Sequence, residues 1–138
     1  MLDNIRKLEK RILNELASSY KRYLYHTIDF SSQIIGILGA RGVGKTTLLL
    51  QYIQELKEKN EPYKSLYFSY DYPTNIDIKL IDLAEEFVKI GGTHLIIDEI
   101  HKYSNFALDL KAIYDFYPKL HVLFTGSCAT SIYNAQVD

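Results

Sequence analysis

The sequence has 138 residues, of which 47% are hydrophobic and 24% charged, and its net charge at pH 7 is −1. These proportions are typical of one globular domain with a buried core. A charge this near zero provides no global field that would recruit nucleic acid or a membrane, although a local patch still could. The apolar runs are far shorter than the roughly 20 residues that cross a bilayer. The charged N-terminus is unlike a signal peptide, and the single cysteine, Cys128, excludes an intrachain disulfide. We therefore expect a cytoplasmic protein without a membrane partner.

The first predicted element is an amphipathic helix from Asp3 to about Leu24. Its apolar residues recur at spacings of three and four and form one stripe: Ile5, Leu8, Ile12 and Leu16. Basic residues make this segment net positive, which favours a solvated helix face, with docking to DNA or to a partner as the alternative. Residues 1–30 are interpreted as this helix and a lead-in to the core at residues 31–138.

After this lead-in, strand and helix patterns alternate along the chain. Short apolar runs predict buried strands at residues 33–39, 65–70, 94–98 and 120–125. Helical patterns separate them, and the one after the second strand is predicted to carry Ile76 on its apolar face and to stop at Gly91-Gly92. This alternation favours right-handed crossovers, and therefore an α/β three-layer sandwich whose parallel sheet has about four core strands here.

A phosphate-binding loop lies between the first predicted strand and the helix after it, where it matches the pattern G-x-x-x-x-G-K-[ST]. Its glycines allow backbone N–H groups to turn inward around an anion, and the helix dipole favours phosphate at the same point. Lys45 is expected to bind the β/γ-phosphate oxygens, and the Thr46 hydroxyl is expected to ligate Mg²⁺. We therefore predict ATP with Mg²⁺ as the ligand. The predicted nucleotide-binding residues are Gly39, Ala40, Arg41, Gly42, Val43, Gly44, Lys45, Thr46 and Thr47.

Polar groups also follow the third and fourth predicted strands. Asp98 is expected to orient the magnesium, and Glu99 to polarise the attacking water as a general base, with a solvated loop end as the alternative. Thr125 or Ser127 is a candidate sensor of the γ-phosphate, although the same residues also suit a plain turn. The four histidines show no ligand spacing and are interpreted as structural. The tyrosine cluster at residues 67, 70 and 72 is interpreted as packing.

Taken together, these motifs resemble those of the AAA-type bacterial and archaeal ATPases, in the additional-strand catalytic-glutamate division of phosphate-loop proteins. The matching segments are Gly39 to Thr47, Tyr70-Asp71, Leu95 to Lys102 and Leu123 to Ser127. The resemblance implies a sheet in which the strand ending at Thr125 inserts between the phosphate-loop strand and the Asp98 strand. It also implies the roles given above for Lys45, Thr46, Asp98 and Glu99, with Lys45 and Glu99 as the catalytic pair.

The resemblance further implies an ATPase domain followed by a C-terminal domain. A fifth strand, a helical lid, a sensor arginine and an arginine finger are then expected beyond residue 138, so residues 1–138 alone are not expected to hold every part needed for turnover. The C-terminal domain is the expected partner; nucleic acid is a partner that no motif supports. The phosphate-loop strand would be a sheet edge, and we expect either self-association there or shielding by the N-terminal helix.

The function that these observations favour is Mg²⁺-dependent ATP hydrolysis by water, coupled to the conformation of a partner domain or protein. A small-molecule kinase uses the same loop, but Glu99 directly after Asp98 favours an activated water over an acceptor substrate. A kinase would also place the phosphate-loop strand directly beside the Asp98 strand. The third hypothesis is a nucleotide-dependent switch or scaffold with little turnover, including one associated with DNA.

Overall fold

The computed structural model of the chain describes residues 1–15, 33–38, 45–59 and 64–126, without the side chains of residues 11–15, 45 and 59. The helices are α1 (Leu2–Glu15), α2 (Lys45–Lys59), α3 (Leu80–Lys89) and α4 (Phe106–Phe116). The strands are β1 (Ile34–Leu38), β2 (Ser65–Ser69), β3 (His94–Asp98) and β4 (His121–Gly126), with short 3-10 turns at Pro73–Asn75 and Ile100–Lys102. Among the helices in these ranges, none is both long and apolar enough to cross a membrane.

The described strands form one parallel sheet in the order β1-β4-β3-β2. Leu123 in the middle of β4 is paired with Ile35 on one side and Ile96 on the other, and Ile96 is paired in turn with Tyr67. The insertion of β4 between β1 and β3 is therefore confirmed, and the strand neighbours expected of a kinase are not observed. The α/β fold class with a parallel sheet is confirmed as well.

Because side chains alternate along each strand, the sheet has two apolar faces, and each is covered by helices. One face packs with α3 and α4 through residues that include Phe68, Ile97 and Phe124. The other face packs with the apolar first turns of α2 through residues that include Tyr67, Ile96 and Leu123. Each fully buried Leu, Ile or Phe side chain contributes about 1.5–3 kcal/mol to folding, so both faces hold the three layers together.

Helix α1 lies along β2, at the edge of the sheet opposite to β1. Ile5 is buried in the same apolar cluster as Phe68, and Arg6 donates a hydrogen bond to the Ser65 carbonyl at 3.1 Å. Glu9 is 1% exposed, and its carboxylate lies 2.9 Å from the ammonium of Lys57 on α2. The described residues of this helix do not shield β1, because their apolar and charged groups find their partners at β2 and α2, whereas the side chains of Ile12 and Leu16 lie outside the described part of the chain. Within the described residues, β1 is paired on one side only, with β4.

Helix α3 begins later than its apolar pattern predicts. Ile76 lies outside the helix and is 46% exposed, because the chain from Pro73 is held in a 3-10 turn and a following bend. The Asn75 amide donates to the Ser69 carbonyl at 2.8 Å, and the Tyr70 hydroxyl donates to the Ile78 carbonyl at 2.8 Å. These contacts hold the segment in a non-helical conformation, although the apolar pattern assigned it to the first turn of the helix.

The predicted end of α3 at Gly91-Gly92 is confirmed. Gly91 has a φ of 90°, which favours glycine, and the Gly92 N–H donates to the Phe87 carbonyl at 2.9 Å. A Cβ on Gly92 would lie 2.4 Å from the buried Phe87 ring. The glycine pair therefore allows the chain to turn tightly against the helix and enter β3.

Candidate functional site

The candidate site lies at the edge of the sheet where β3 and β4 end and α2 begins. In a parallel sheet the carboxyl ends of the strands meet at one edge, and the helix that follows β1 points its N-terminus at the same place. Asp98, Thr125 and Thr46 come from three different elements, and the structure brings their side chains into direct contact.

Asp98 ends β3 and is 3% exposed, and its carboxylate accepts hydrogen bonds from three hydroxyl groups. Oδ2 accepts from Thr46 Oγ1 at 2.7 Å and from the Tyr67 hydroxyl at 2.8 Å, while Oδ1 accepts from Thr125 Oγ1. A buried carboxylate is costly unless it is hydrogen-bonded. The three hydroxyls therefore stabilise Asp98 in one orientation, with Oδ2 turned toward the first turn of α2.

Thr125 connects the two acidic residues. Its hydroxyl is fully buried, donates to Asp98 and accepts the backbone N–H of Glu99 at 3.0 Å. Glu99 has φ 55° and ψ 45°, a left-handed conformation whose cost for a non-glycine residue is on the order of 1–3 kcal/mol. The hydrogen bond from Glu99 N–H to Thr125 helps to hold this conformation, which turns the chain sharply out of β3.

The Glu99 side chain is 14% exposed, and its Oε2 lies 3.5 Å from Nε2 of His101 in the following 3-10 turn. The sequence patterns did not single out His101 as a neighbour of Glu99, because two such residues in a continuing strand share a face but lie roughly 7 Å apart along it. The left-handed turn at Glu99 is what brings the two side chains together.

Tyr67 is the site residue that the sequence patterns missed. Burial raises the pKa of its phenol above the ordinary value, and the negative charge of Asp98 raises it further, so the hydroxyl keeps its proton and acts as a donor. Tyr67 was interpreted as a packing residue, and its ring does pack against α2. The signal that identifies it is strand alternation: once β2 is placed beside β3, Tyr67 and Asp98 fall on the same face.

Two contacts join the end of β2 to the turn after β3. The Tyr70 N–H donates to the Asp98 carbonyl at 3.0 Å, and Lys102 forms an ion pair with Asp71. Asp71 also donates its backbone N–H to Ser69 Oγ at 3.1 Å. The Tyr70-Asp71 and Asp98-to-Lys102 segments are distant in sequence, and these contacts, which use the backbone of Tyr70 and not its ring, hold the two segments together beside the candidate site.

The remaining predicted site residues are placed only in part. The loop residues Gly39 to Gly44 and the sensor candidate Ser127 lie outside the described residues, and Lys45 is described only as the first residue of α2. Thr47 is half-buried in the first turn of α2. Thr46, Asp98 and Thr125 are brought together, with Glu99 directly beside them.

Thr46 and Asp98 offer oxygen ligands of the kind that Mg²⁺ prefers. Where Mg²⁺ is bound with a phosphorylated ligand, the protein supplies one or two oxygens, and phosphates and water supply the others. A hydroxyl and a carboxylate 2.7 Å apart at the start of a helix fit that donor set. The residues present are therefore compatible with a Mg²⁺-nucleotide complex.

A relative with a similar sequence is Uncharacterized protein MJ1637 of Methanocaldococcus jannaschii, which is 36% identical over 107 residues. The match covers 72% of this chain and 22% of that protein, so the chain spans about a fifth of the length of this relative. Among solved structures, PCH-2 of C. elegans has a similar fold with a TM-score of 0.53 at 14% identity. That match covers 96% of this chain and 41% of PCH-2, and it shows the fold alone.

The family comparison covers the same part of the chain as the fold and the site. The model of the family described as AAA domain (AAA_14) matches residues 31–137, which include every strand of the sheet and all of the predicted site residues. The parallel sheet, with β4 inserted between β1 and β3, agrees with that match. The chain therefore belongs to the AAA domain family, an AAA-type phosphate-loop ATPase family.

Proposed function

We propose that this chain binds ATP with Mg²⁺ at the edge formed by α2, β3 and β4, and that it hydrolyses the nucleotide with water. The observation that supports this most strongly is the hydrogen bond of 2.7 Å between Thr46 and Asp98, which are 52 residues apart in the sequence. It joins the end of the phosphate-loop motif to the acidic strand end, as a nucleotide-binding site of this kind requires.

Each residue of the motif has a distinct part in the proposed binding step. The N–H groups of residues 39–44 and the N-terminus of α2 surround the phosphates, and Lys45 provides a mobile cation for the β and γ oxygens. Thr46 and Asp98 hold Mg²⁺. A metal held there would supply positive charge that offsets the negative charge of the phosphates.

Glu99 is proposed as the general base that accepts the proton of the attacking water. Because Glu99 directly follows Asp98, it would offer a second carboxylate near the nucleotide while Asp98 holds the metal. Thr125 is proposed to position both residues, because its hydroxyl bonds Asp98 and the Glu99 N–H at once. A change at the γ-phosphate would then move the end of β3, and through it a partner domain or protein.

Steady-state release of phosphate from Mg²⁺-ATP tests the proposal. The chain, together with the C-terminal domain expected after residue 138, is assayed without any addition, with a panel of small-molecule phosphoryl acceptors, and with DNA, each also in EDTA as a control. We expect phosphate release without any acceptor and none in EDTA. Transfer to an acceptor without release of free phosphate would identify a kinase. ATP binding without release under any condition would identify a switch, and hydrolysis by water would then be wrong.

A further inference from the structure

Two buried tyrosines, one in β2 and one directly after it, face opposite sides of the sheet, and each hydroxyl donates one described hydrogen bond. Tyr67 is 3% exposed and donates to Asp98 Oδ2 at 2.8 Å, on the α2 side. Tyr70, directly after the strand, is fully buried on the opposite side and donates to the Ile78 carbonyl at 2.8 Å. A phenolic hydroxyl therefore donates to a carboxylate in one case and to a backbone carbonyl in the other.

The register of the sheet explains how Tyr67 reaches Asp98. Tyr67 is paired with Ile96, and Asp98 lies two residues further along β3 on the same face. The Tyr67 ring extends along that face toward the carboxyl end of the sheet, packed in the cluster that contains Leu49 and Ile53 of α2. Since this packing limits the ring, its hydroxyl is held at a fixed point beside Oδ2.

We infer that Tyr67 is a positioning residue for magnesium binding, because its hydroxyl fixes the orientation of Asp98 from the neighbouring strand. This inference rests on the proposed function. In that site, the Thr46 hydroxyl would hold the metal as well as bond Asp98, whereas the Tyr67 hydroxyl bonds Asp98 from the neighbouring strand and would not hold the metal. Asp98 is thereby held ready when the metal arrives. Loss of a group that orients a metal ligand typically weakens metal affinity by about 10- to 100-fold.

The experiment compares Tyr67→Phe with Tyr70→Phe, two substitutions that each remove one buried hydroxyl from the same part of the chain. The affinity of the full chain for a non-hydrolysable ATP analogue is measured by calorimetry in Mg²⁺ and in EDTA. Thermal unfolding is measured for each protein as a record of structural damage. Mg²⁺ should raise the affinity of wild type for the analogue, and we expect Tyr67→Phe to reduce this gain by about tenfold. This value is at the lower end of the range of about 10- to 100-fold because Thr46 and Thr125 still bond Asp98. Tyr70→Phe should retain the wild-type gain, and binding in EDTA should be alike in all three proteins.

The outcomes separate this inference from the proposed function. If wild type gains no affinity from Mg²⁺, the proposed function fails and the inference fails with it. If wild type shows the gain and Tyr67→Phe retains it in full, only the inference is overturned. An equal loss in both variants would assign Tyr67 to structural support and would overturn the inference as well.

A second measurement applies if Tyr67→Phe does not fold. Replacing Tyr67 with 3-fluorotyrosine retains the hydroxyl and places a fluorine NMR signal beside it. We expect this signal to shift when Mg²⁺ is added to the nucleotide complex, and the same label at Tyr70 to shift much less. A Tyr67 signal that does not respond to Mg²⁺ would contradict the inference.

Discussion

At the scale of single residues, the site depends on hydroxyl groups that position carboxylates. Asp98 is satisfied by Thr46, Tyr67 and Thr125, which belong to a helix and to the strands on either side of β3. Thr125, near the end of β4, was open to two interpretations, as a sensor of the γ-phosphate or as part of a plain turn. Its hydroxyl bonds both Asp98 and the N–H of Glu99, and its role as a sensor of the γ-phosphate stays a prediction.

Replacement of Glu99 by Gln tests the general base. The amide retains the shape of the carboxylate but cannot accept the proton of the attacking water, so phosphate release by the chain together with its expected C-terminal domain should fall about 10²- to 10⁴-fold. Calorimetry should show ATP affinity close to wild type. Glu85→Gln is the matched control, because Glu85 is an exposed helix residue paired with Lys89 and should keep the wild-type rate. Release at the wild-type rate in Glu99→Gln would rule out the general base.

At the scale of elements, the two ends of the sheet differ in their chemistry. The carboxyl ends of β3 and β4 present Asp98 and Thr125, whereas their amino ends present His94 and His121, whose rings stack with centroids 4.9 Å apart. Thr93 Oγ1 lies 2.8 Å from Nδ1 of His94, and the Tyr52 ring of α2 meets the His94 ring edge-on. Burial and, secondarily, His121 lower the pKa of His94 to about 4.

This shift predicts an acid-sensitive contribution to stability. Below its ordinary pKa of 6.5, His94 takes up a proton in the unfolded state, while the folded state keeps it neutral down to about pH 4. The unfolded state then binds more protons, so stability is full above about pH 6.5 and falls as the pH drops toward 4. Urea unfolding of wild type and His94→Gln across this range should show a shallower decline in the variant. Parallel declines would contradict the lowered pKa.

The elements and their order were predictable from the sequence, but several contacts between them were not. Hydrophobic spacing locates β1 to β4 because each strand is short, apolar and bounded by polar or turn residues. It misplaces the start of α3, since the hydrogen bonds of Tyr70 and Asn75 that hold the preceding turn are tertiary. It also misses Tyr67, because an aromatic residue in a strand has the same pattern whether its hydroxyl meets water or a carboxylate. The docking of α1 on β2 includes two contacts that periodicity does not encode, from Arg6 to the Ser65 carbonyl and from Glu9 to Lys57 of α2.

At the scale of the whole molecule, the sheet has two unlike edges. Helix α1 packs along β2, whereas β1, within the described part of the chain, is paired only with β4. An edge strand presents a row of N–H and C=O groups that can pair with another chain.

The match to MJ1637 covers 22% of that protein, so the activity and partners of a whole protein of this kind remain proposals for this chain.

Self-association along β1 stays a prediction. Analytical ultracentrifugation of the 138-residue chain over a range of concentrations should show a mass that rises with concentration, because pairing at an edge strand follows mass action. A monomer mass that stays constant throughout the range would show that β1 does not recruit a second copy.

The central claim is that this chain holds ATP and Mg²⁺ at the loop that precedes α2, and calorimetric titration of wild type and Lys45→Ala with Mg²⁺-ATP tests it most directly. The account predicts saturable binding in wild type and its loss in Lys45→Ala, because the variant lacks the cation proposed to bind the β and γ oxygens. Thermal unfolding of the variant should stay close to wild type, since this lysine is assigned to the ligand and not to the core. Absence of binding in wild type, or an unchanged dissociation constant in Lys45→Ala, would contradict the account.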